Sequence, residues 1–423
     1  MGRFRDVESD VETNMVTDRS QCQSWTGLVF WCAVSYSCVL VIFVRVCFPD
    51  FSLLSLGMLP LFVHGSSPAL FYAFSQSPRH FSKPKNIEIA ALVPFHHHRR
   101  TEILDCYLRR NLASNGGFLD RVVFMPQTNH TGSLGWLSSI VDGISSYSVL
   151  ESSDPFVETV VGDGNTMFVW IDGDIVFLEN HTVPTMVQTK LNHPDSLIVS
   201  ANVVNDGALK YLHNRQPVAL PYRPELQPVR SVDHDSWRAS TLPRWRGPAN
   251  FRTPKGFSPP SEGHRWLPSD DEMFNHTPIG MSIYSENGPD MGDWIVKAQQ
   301  HYSFLHHLDL GDLYRYKFPL WTNPTDSIST NFFCFMSSDA NPVLSFMYNG
   351  GMRETGLKTP RNEGRVAQDI IIDGKGLAAH YGPDRGSESL DDTDVLWRYR
   401  SYALERVCPQ TTRHPTIDIT VNK

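Results

Sequence analysis

Apolar residues in this chain come in short unbroken runs, separated by stretches that carry them at helical spacing. Ile87–Phe95 (IEIAALVPF) holds one acid near its start and is otherwise apolar, which predicts a first strand buried on both faces. Thr101–Ala113 then places Ile103, Leu104, Tyr107, Leu108 and Leu112 at helical spacing, with Thr101 as the expected N-cap and Asn115-Gly116-Gly117 as the stop. The alternation continues with a strand at Val122–Met125, a helix at Leu134–Ile144 and a strand at Met167–Ile171. A helix at Val183–Leu191 and a strand at Leu197–Val204 (LIVSANVV) follow. Strands alternating with short helices predict an α/β fold, with a central mixed, mostly parallel sheet flanked by helices.

The second half is less regular. From Pro217 to Pro278 the chain is dense in proline, tryptophan and arginine and shows little periodicity. Trp237, Trp245 and Trp266 in this stretch could stack on a sugar face, but packing is the simpler reading of any one of them. Asp293–His307 reads as a helix and Asn331–Met336 as an apolar strand. Ala367–Ile372 reads as a strand, closed by a turn at Asp373-Gly374 and followed by Leu377–Tyr381. Leu390–Val407 is a final amphipathic helix.

Ahead of this domain the pattern is different. Residues 1–24 are polar and acidic, without a hydrophobic period, and are predicted to be disordered. Trp25–Val44 has twenty residues without a charge, enough to cross a bilayer, so 25–48 is the expected transmembrane anchor. A second apolar stretch, Phe51–Val63, opens a 49–86 segment and linker; a two-helix hairpin is the alternative to a single span. The α/β domain is expected over 87–408, and 409–423 is a C-terminal tail.

The candidate chemistry sits in Thr166–Thr182 (TMFVWIDGDIVFLENHT). Asp172-Gly173-Asp174 interrupts an apolar run, and burying two carboxylates is costly unless a cation compensates them. Residues i and i+2 of an extended chain lie on the same side, so both carboxylates can converge on one hard ion such as Mg²⁺ or Mn²⁺. The glycine between them is read as room for a phosphate or sugar to approach the backbone. The bland alternative is a turn with solvated aspartates. In parallel sheets ligands gather at the carboxyl ends of strands, which is where this pair falls. The loop His96-His97-His98-Arg99-Arg100 falls there too, and its arginines suit a diphosphate. His380, after a late apolar strand, could complete the coordination of the ion.

Charge and cysteine content narrow the classes. A net charge of −8 and the absence of a Lys/Arg-rich run exclude nucleic acid as the main partner. Of seven cysteines, only Cys106, Cys334 and Cys408 lie in the globular part, without C-x-x-C spacing. One bridge among the three is open, its partners unassigned. Sequons at Asn129, Asn180 and Asn275 lean toward a lumenal glycoprotein, with the protein held at the ER or Golgi membrane. No G-x-S-x-G, H-E-x-x-H, P-loop or G-x-G-x-x-G pattern is present.

Four stretches in the same order resemble membrane-anchored fungal glycosyltransferase-like proteins with the GT-A nucleotide-sugar fold. They are Ile103–Leu119 (ILDCYLRRNLASNGGFL), Val169–Asn205, Ala298–Leu305 (AQQHYSFL) and Ile371–Tyr381 (IIDGKGLAAHY). The resemblance implies a donor half over about 87–205 and an acceptor half over about 206–408. It makes Asp172 and Asp174 the metal-binding D-x-D and His380 a further ligand. It implies a Mn²⁺- or Mg²⁺-dependent transferase that moves a sugar from a nucleotide-sugar donor to a glycan, lipid or small-molecule acceptor. Such relatives carry an acid where this chain has Gly173, and a donor-site lysine that is missing from Glu151–Asn165. Arg99 and Arg100 are therefore the expected donor-binding cations, and Asp270, Asp271 and Asp293 in the acceptor half the acidic candidates for the catalytic base, which the sequence does not single out. The competing class is a membrane-tethered binding or scaffold protein that keeps the fold without turnover.

Overall fold

The computed structural model describes residues 81–150, 165–228, 236–324, 328–343, 369–382 and 390–408. All belong to one unit, Ser77–Lys423. The expected anchor at 25–48 lies outside them. Among the described residues no helix is long and apolar enough to cross a membrane.

Strand β1, Glu88–Phe95, is buried at every position after Glu88, as its apolar run requires. Helix α1, His98–Asn111, begins before the expected Thr101. The His97 side chain caps it by accepting the Arg99 N–H, and Thr101 turns its hydroxyl back to the His97 carbonyl. Arg99 and Arg100 thus lie in the first turn of a helix and not on a loop. β2 (Arg121–Pro126), α2 (Thr131–Asp142) and β3 (Tyr147–Val149) complete the first half of the wind. β4 is Thr166–Ile171, β5 Ile175–Leu178, α3 Thr182–Asn192 and β6 Ser196–Val204.

The aperiodic stretch is mostly turns, but it holds a small antiparallel ribbon of β7 (Tyr222–Pro224) and β8 (Trp266–Pro268). Two of its tryptophans pack, as the simpler reading has it: Trp266 and Trp237 are buried, and the Trp237 indole N–H donates to Glu405. Helices α4 (Pro278–Tyr284) and α5 (Trp294–Leu310) follow, α5 ending at Gly311 in the left-handed region. Then come β9 (Trp321–Thr322), β10 (Phe332–Met336), β11 (Asp369–His380) and α6 (Val395–Arg406). The expected turn at Asp373-Gly374 lies inside β11 instead. There the register on β6 slips between Asp373 and Leu377, and a β-carbon on Gly374 would stand 2.2 Å from the Phe318 carbonyl oxygen.

The main sheet runs β3-β2-β1-β4-β10-β6-β11-β5, with β9 beside β11. It is mixed. β3, β2, β1 and β4 are parallel, as are β6 and β11, while β10, β5 and β9 join antiparallel. Side chains alternate between two apolar layers. Ile89, Ala91, Val93 and Val169 face one layer, and Ala90, Leu92, Phe168 and Phe335 the other. The Phe333–Trp170 and Phe335–Phe168 cross-strand pairs seat β10 between β4 and β6. Of the three candidate cysteines, Cys106 of α1 and Cys408 just past α6 form a disulfide, and Cys334 is buried and free.

Candidate metal centre

β4 delivers Asp172 to the carboxyl end of the sheet. Three bonds donated by backbone N–H groups tie the turn that follows. The Asp172 N–H donates to the Asn331 carbonyl at 2.8 Å, the Ile175 N–H to the Asp172 carbonyl, and the Asp174 N–H to the Asp172 carboxylate at 2.8 Å. Gly173 is required here by a close approach: a β-carbon would stand 2.2 Å from the Pro94 carbonyl oxygen of β1. The expected opening for a phosphate or sugar over this glycine is filled by the chain's own backbone. The same contact leaves no room for an acid at the middle position.

His380 arrives from the far end of the sequence. β11 pairs antiparallel with β5, and a bulge between Ala379 and His380 sets the imidazole opposite Ile175, beside the acidic turn. The Tyr381 N–H donating to the Asp174 carbonyl locks that arrangement at 2.9 Å. His380 Nε2 lies 3.5 Å from Asp172 Oδ1. One ligand atom each from Asp172, Asp174 and His380 lie within 4.8 Å of one another. Sequence reasoning named all three, and the fold brings them together.

Arg100 completes the cluster from α1. Its Nη1 donates to Asp174 Oδ2 at 2.8 Å, its Nη2 reaches Asp391 at 3.2 Å, and its guanidinium lies 4.7 Å from the Tyr381 ring centroid. The other Asp174 oxygen, Oδ1, is buried with no hydrogen-bond partner among the described residues. A buried carboxylate oxygen without a donor is costly, and a cation bound through that oxygen would satisfy it. Two carboxylates and an imidazole form an oxygen-and-nitrogen set suited to Mn²⁺ and compatible with Mg²⁺. The residues present therefore fit such an ion.

The electrostatics couple the acidic turn to His380 and Arg100. Burial disfavours a charged Asp172, but the His380 imidazole and the Asp174 N–H more than offset it and hold its carboxyl below the usual range. Burial likewise works against a charged His380, and Asp172, Asp174 and Asp206 outweigh it and raise the imidazole. Burial opposes the charge on Arg100 too, and Asp174 and Asp391 overcome it.

The remaining expected site residues are placed differently. Arg99 is exposed. His98 and His130 both bond the Ser133 hydroxyl, each at 3.0 Å, and His97 caps α1, so these imidazoles build local structure. Asp270 is exposed and paired with Arg244. Asp271 is exposed, and Asp293 bonds the Asp290 N–H just before α5. None of these three acids belongs to the cluster of converging ligand atoms.

Two residues near the cluster escaped the sequence reading. Asp206, just past β6, accepts from the Asn331 side chain at 2.6 Å and from the Ser329 hydroxyl at 2.8 Å, securing the segment whose carbonyl holds Asp172. An acid two residues past a buried strand was its signal, close to the one that marked Asp172. Lys297, the only lysine or arginine of α5, places its Nζ 3.2 Å from where a β-carbon on Gly382 would stand; His380 Nδ1 lies 3.5 Å from the same point. A lone cation in an otherwise uncharged helical turn was the signal here.

No family model matches the chain, and no curated protein matches its sequence. Several solved structures align with part of it. Mannosyl-3-phosphoglycerate synthase from Rubrobacter xylanophilus is 15% identical over 31% of this chain and 49% of its own, with a TM-score of 0.23. Glucosyl-3-phosphoglycerate synthase from Mycobacterium tuberculosis, solved with Mn²⁺, UDP-glucose and phosphoglyceric acid, is 13% identical over 31% and 51%, also at 0.23. The S. aureus protein TarS is 15% identical over 36% and 45%, at 0.22. The chain spans about half the length of the solved chains it matches. At these TM-scores the likeness carries no weight for function, and the functional reading rests on the chain's own geometry.

Proposed function

We propose that this chain is a metal-dependent glycosyltransferase. It would take a nucleotide-sugar as donor, with Mn²⁺ or Mg²⁺ held by Asp172, Asp174 and His380. The observation that carries this reading is the convergence of those three groups at the carboxyl end of β4, together with a buried Asp174 oxygen that has no hydrogen-bond partner among the described residues. When bound, the ion supplies Lewis-acid neutralisation of a diphosphate leaving group. The chain's own residues set the stage for it. Asp206 and Asn331 hold the Asp172 backbone, and the β11 bulge aims His380. Arg100 is engaged by two carboxylates, and Lys297 brings a second cationic group beside His380 at Gly382. The Cys106–Cys408 disulfide belongs in an oxidising compartment, which supports a lumenal domain behind the anchor expected at 25–48.

One observation favours the scaffold reading. The Arg100–Asp174 ion pair gives one carboxylate oxygen a partner without any metal. Calorimetry on the full chain separates the two. Mn²⁺ should bind at one site in the wild type, with UDP or GDP binding only in its presence, and Asp172→Ala should abolish both. Mn²⁺ binding left unchanged by Asp172→Ala, or absent from the wild type, would leave the scaffold.

A further inference from the structure

The tripeptide Asn-His-Thr occurs three times in this chain, starting at Asn129, Asn180 and Asn275. Each is a sequon, the acceptor pattern for an N-linked glycan, and each asparagine is exposed. The three are identical in sequence, so only conformation can sort them. A sequon is read through the asparagine carboxamide and the hydroxyl two residues on. Those two groups stand on one side of the chain when the residue between them is extended.

Asn129 meets that condition. It lies in the short loop between β2 and α2, and His130 is extended, with φ −71° and ψ 112°. Both ends of the loop are held. The Gln127 N–H donates to the Phe95 carbonyl at 2.8 Å, and the His130 ring accepts the Ser133 N–H at the start of α2. Neither bond uses Asn129, and Thr131, the first residue of α2, is exposed.

Folding closes the other two. His181 is not extended, with φ −110° and ψ 11°. Thr182 is fully buried and donates its hydroxyl to the Leu377 carbonyl of β11 at 2.7 Å. Asn275 and His276 lie inside a 3₁₀ turn, Asp271–His276. Thr277 is buried as the N-cap of α4, its hydroxyl donating to the Phe274 carbonyl at 2.7 Å and accepting from the Gly280 N–H and the Gln299 side chain. A modifying enzyme can read these two only before the chain folds, whereas the Asn129 sequon stays open afterwards.

We propose that Asn129 carries an N-linked glycan and is the most fully occupied of the three sequons. The inference rests on the lumenal placement of the domain in the preceding reading. The transfer is made by the glycan transferase of that compartment, from an oligosaccharide linked to a lipid diphosphate. The Asn129 carboxamide nitrogen attacks the anomeric carbon and an N–C bond forms. The anomeric C–O bond breaks, the lipid diphosphate leaves with the electron pair, and the nitrogen gives up one proton to the transferase. Asn129 lies past the carboxyl end of β2, two strands along the sheet from β4, so it stands beside the metal centre and not within it.

The test expresses the full-length chain in a eukaryotic secretory host. Peptide N-glycosidase in heavy-oxygen water turns each glycan-bearing asparagine into a labelled aspartate, and peptide mass spectrometry reads the label at every sequon. Most copies should be labelled at Asn129, and fewer at Asn180 and Asn275. Thr131→Ala should remove the Asn129 label and Thr131→Ser should keep it. Asn129 left unlabelled, or labelled no more than either of the others, would overturn the proposal. If Thr131→Ala does not fold, the wild-type ranking decides by itself. Alkylation of the same protein reads the Cys106–Cys408 bond independently. A formed bond with Asn129 unlabelled rejects the glycan and leaves the lumenal placement standing. Free thiols with no label at any sequon reject both.

Discussion

Replacing Arg100 with Met tests whether the arginine and a metal ion share Asp174. The substitution removes the charge and keeps an unbranched chain that can pack on Tyr381. Arg100 and Asp174 have side-chain exposures of 14% and 5% and meet at 2.8 Å, so theirs is a largely desolvated pair. Breaking such a pair from one side leaves an uncompensated carboxylate and costs about 3–5 kcal/mol. The Asp391 partner is 54% exposed and adds about 0–1 kcal/mol at most. In EDTA the variant should therefore lose roughly 3 kcal/mol against wild type. A divalent cation restores positive charge at Asp174, so Mn²⁺ should return about 1.5–3 kcal/mol more to the variant than to wild type, or roughly ten- to a hundredfold in apparent affinity. Urea unfolding of both proteins, each in EDTA and in Mn²⁺, closes a four-state cycle that isolates this coupling. An equal loss for Arg100→Met in both conditions would refute the reasoning, since arginine and metal would then act on different groups.

Gly173→Ala should cost about 1–3 kcal/mol and abolish the Mn²⁺ response, because its β-carbon would meet the Pro94 carbonyl at 2.2 Å and push the acidic turn off β1; normal Mn²⁺ binding by calorimetry would contradict this. Reducing Cys106–Cys408, which links positions 302 apart, should cost about 2–5 kcal/mol, read as a lower thermal midpoint in reductant. An unchanged midpoint would mean that α1 and the end of α6 hold together without the bond. Burial pushes His213 and His301 down to about 3, so both stay neutral in the folded chain where the unfolded chain takes up protons. Between pH 6.5 and 5 the unfolded state binds more protons, and stability should fall on acidification by up to about 1.4 kcal/mol per pH unit for each. Urea midpoints that do not change across that window would show that these rings are not held neutral.

Local periodicity determined most of the domain's elements. β1, β2, β4 and β6, with α1, α2 and α3 between them, were legible because burial on one or both faces imposes a spacing that needs no knowledge of distant chain. The acidic pair was legible for a related reason: carboxylates inside an apolar run stand out against burial. Asp206, bearing the same mark after β6, could have been found in this way. What stayed hidden depends on which distant segments meet. Nothing local seats β10 antiparallel between β4 and β6, or folds the proline-rich stretch into the β7–β8 ribbon. The bulge that aims His380 exists only because β11 pairs with β5. Arg100 looked free for a ligand until the fold set it against Asp174, 74 residues away, and Gly173 looked like an opening until β1 occupied it. A sequence records how much each residue resists water. Which charges cancel and which spaces are filled is decided only when separate strands close on one another, because those energies depend on distances that the chain order does not contain.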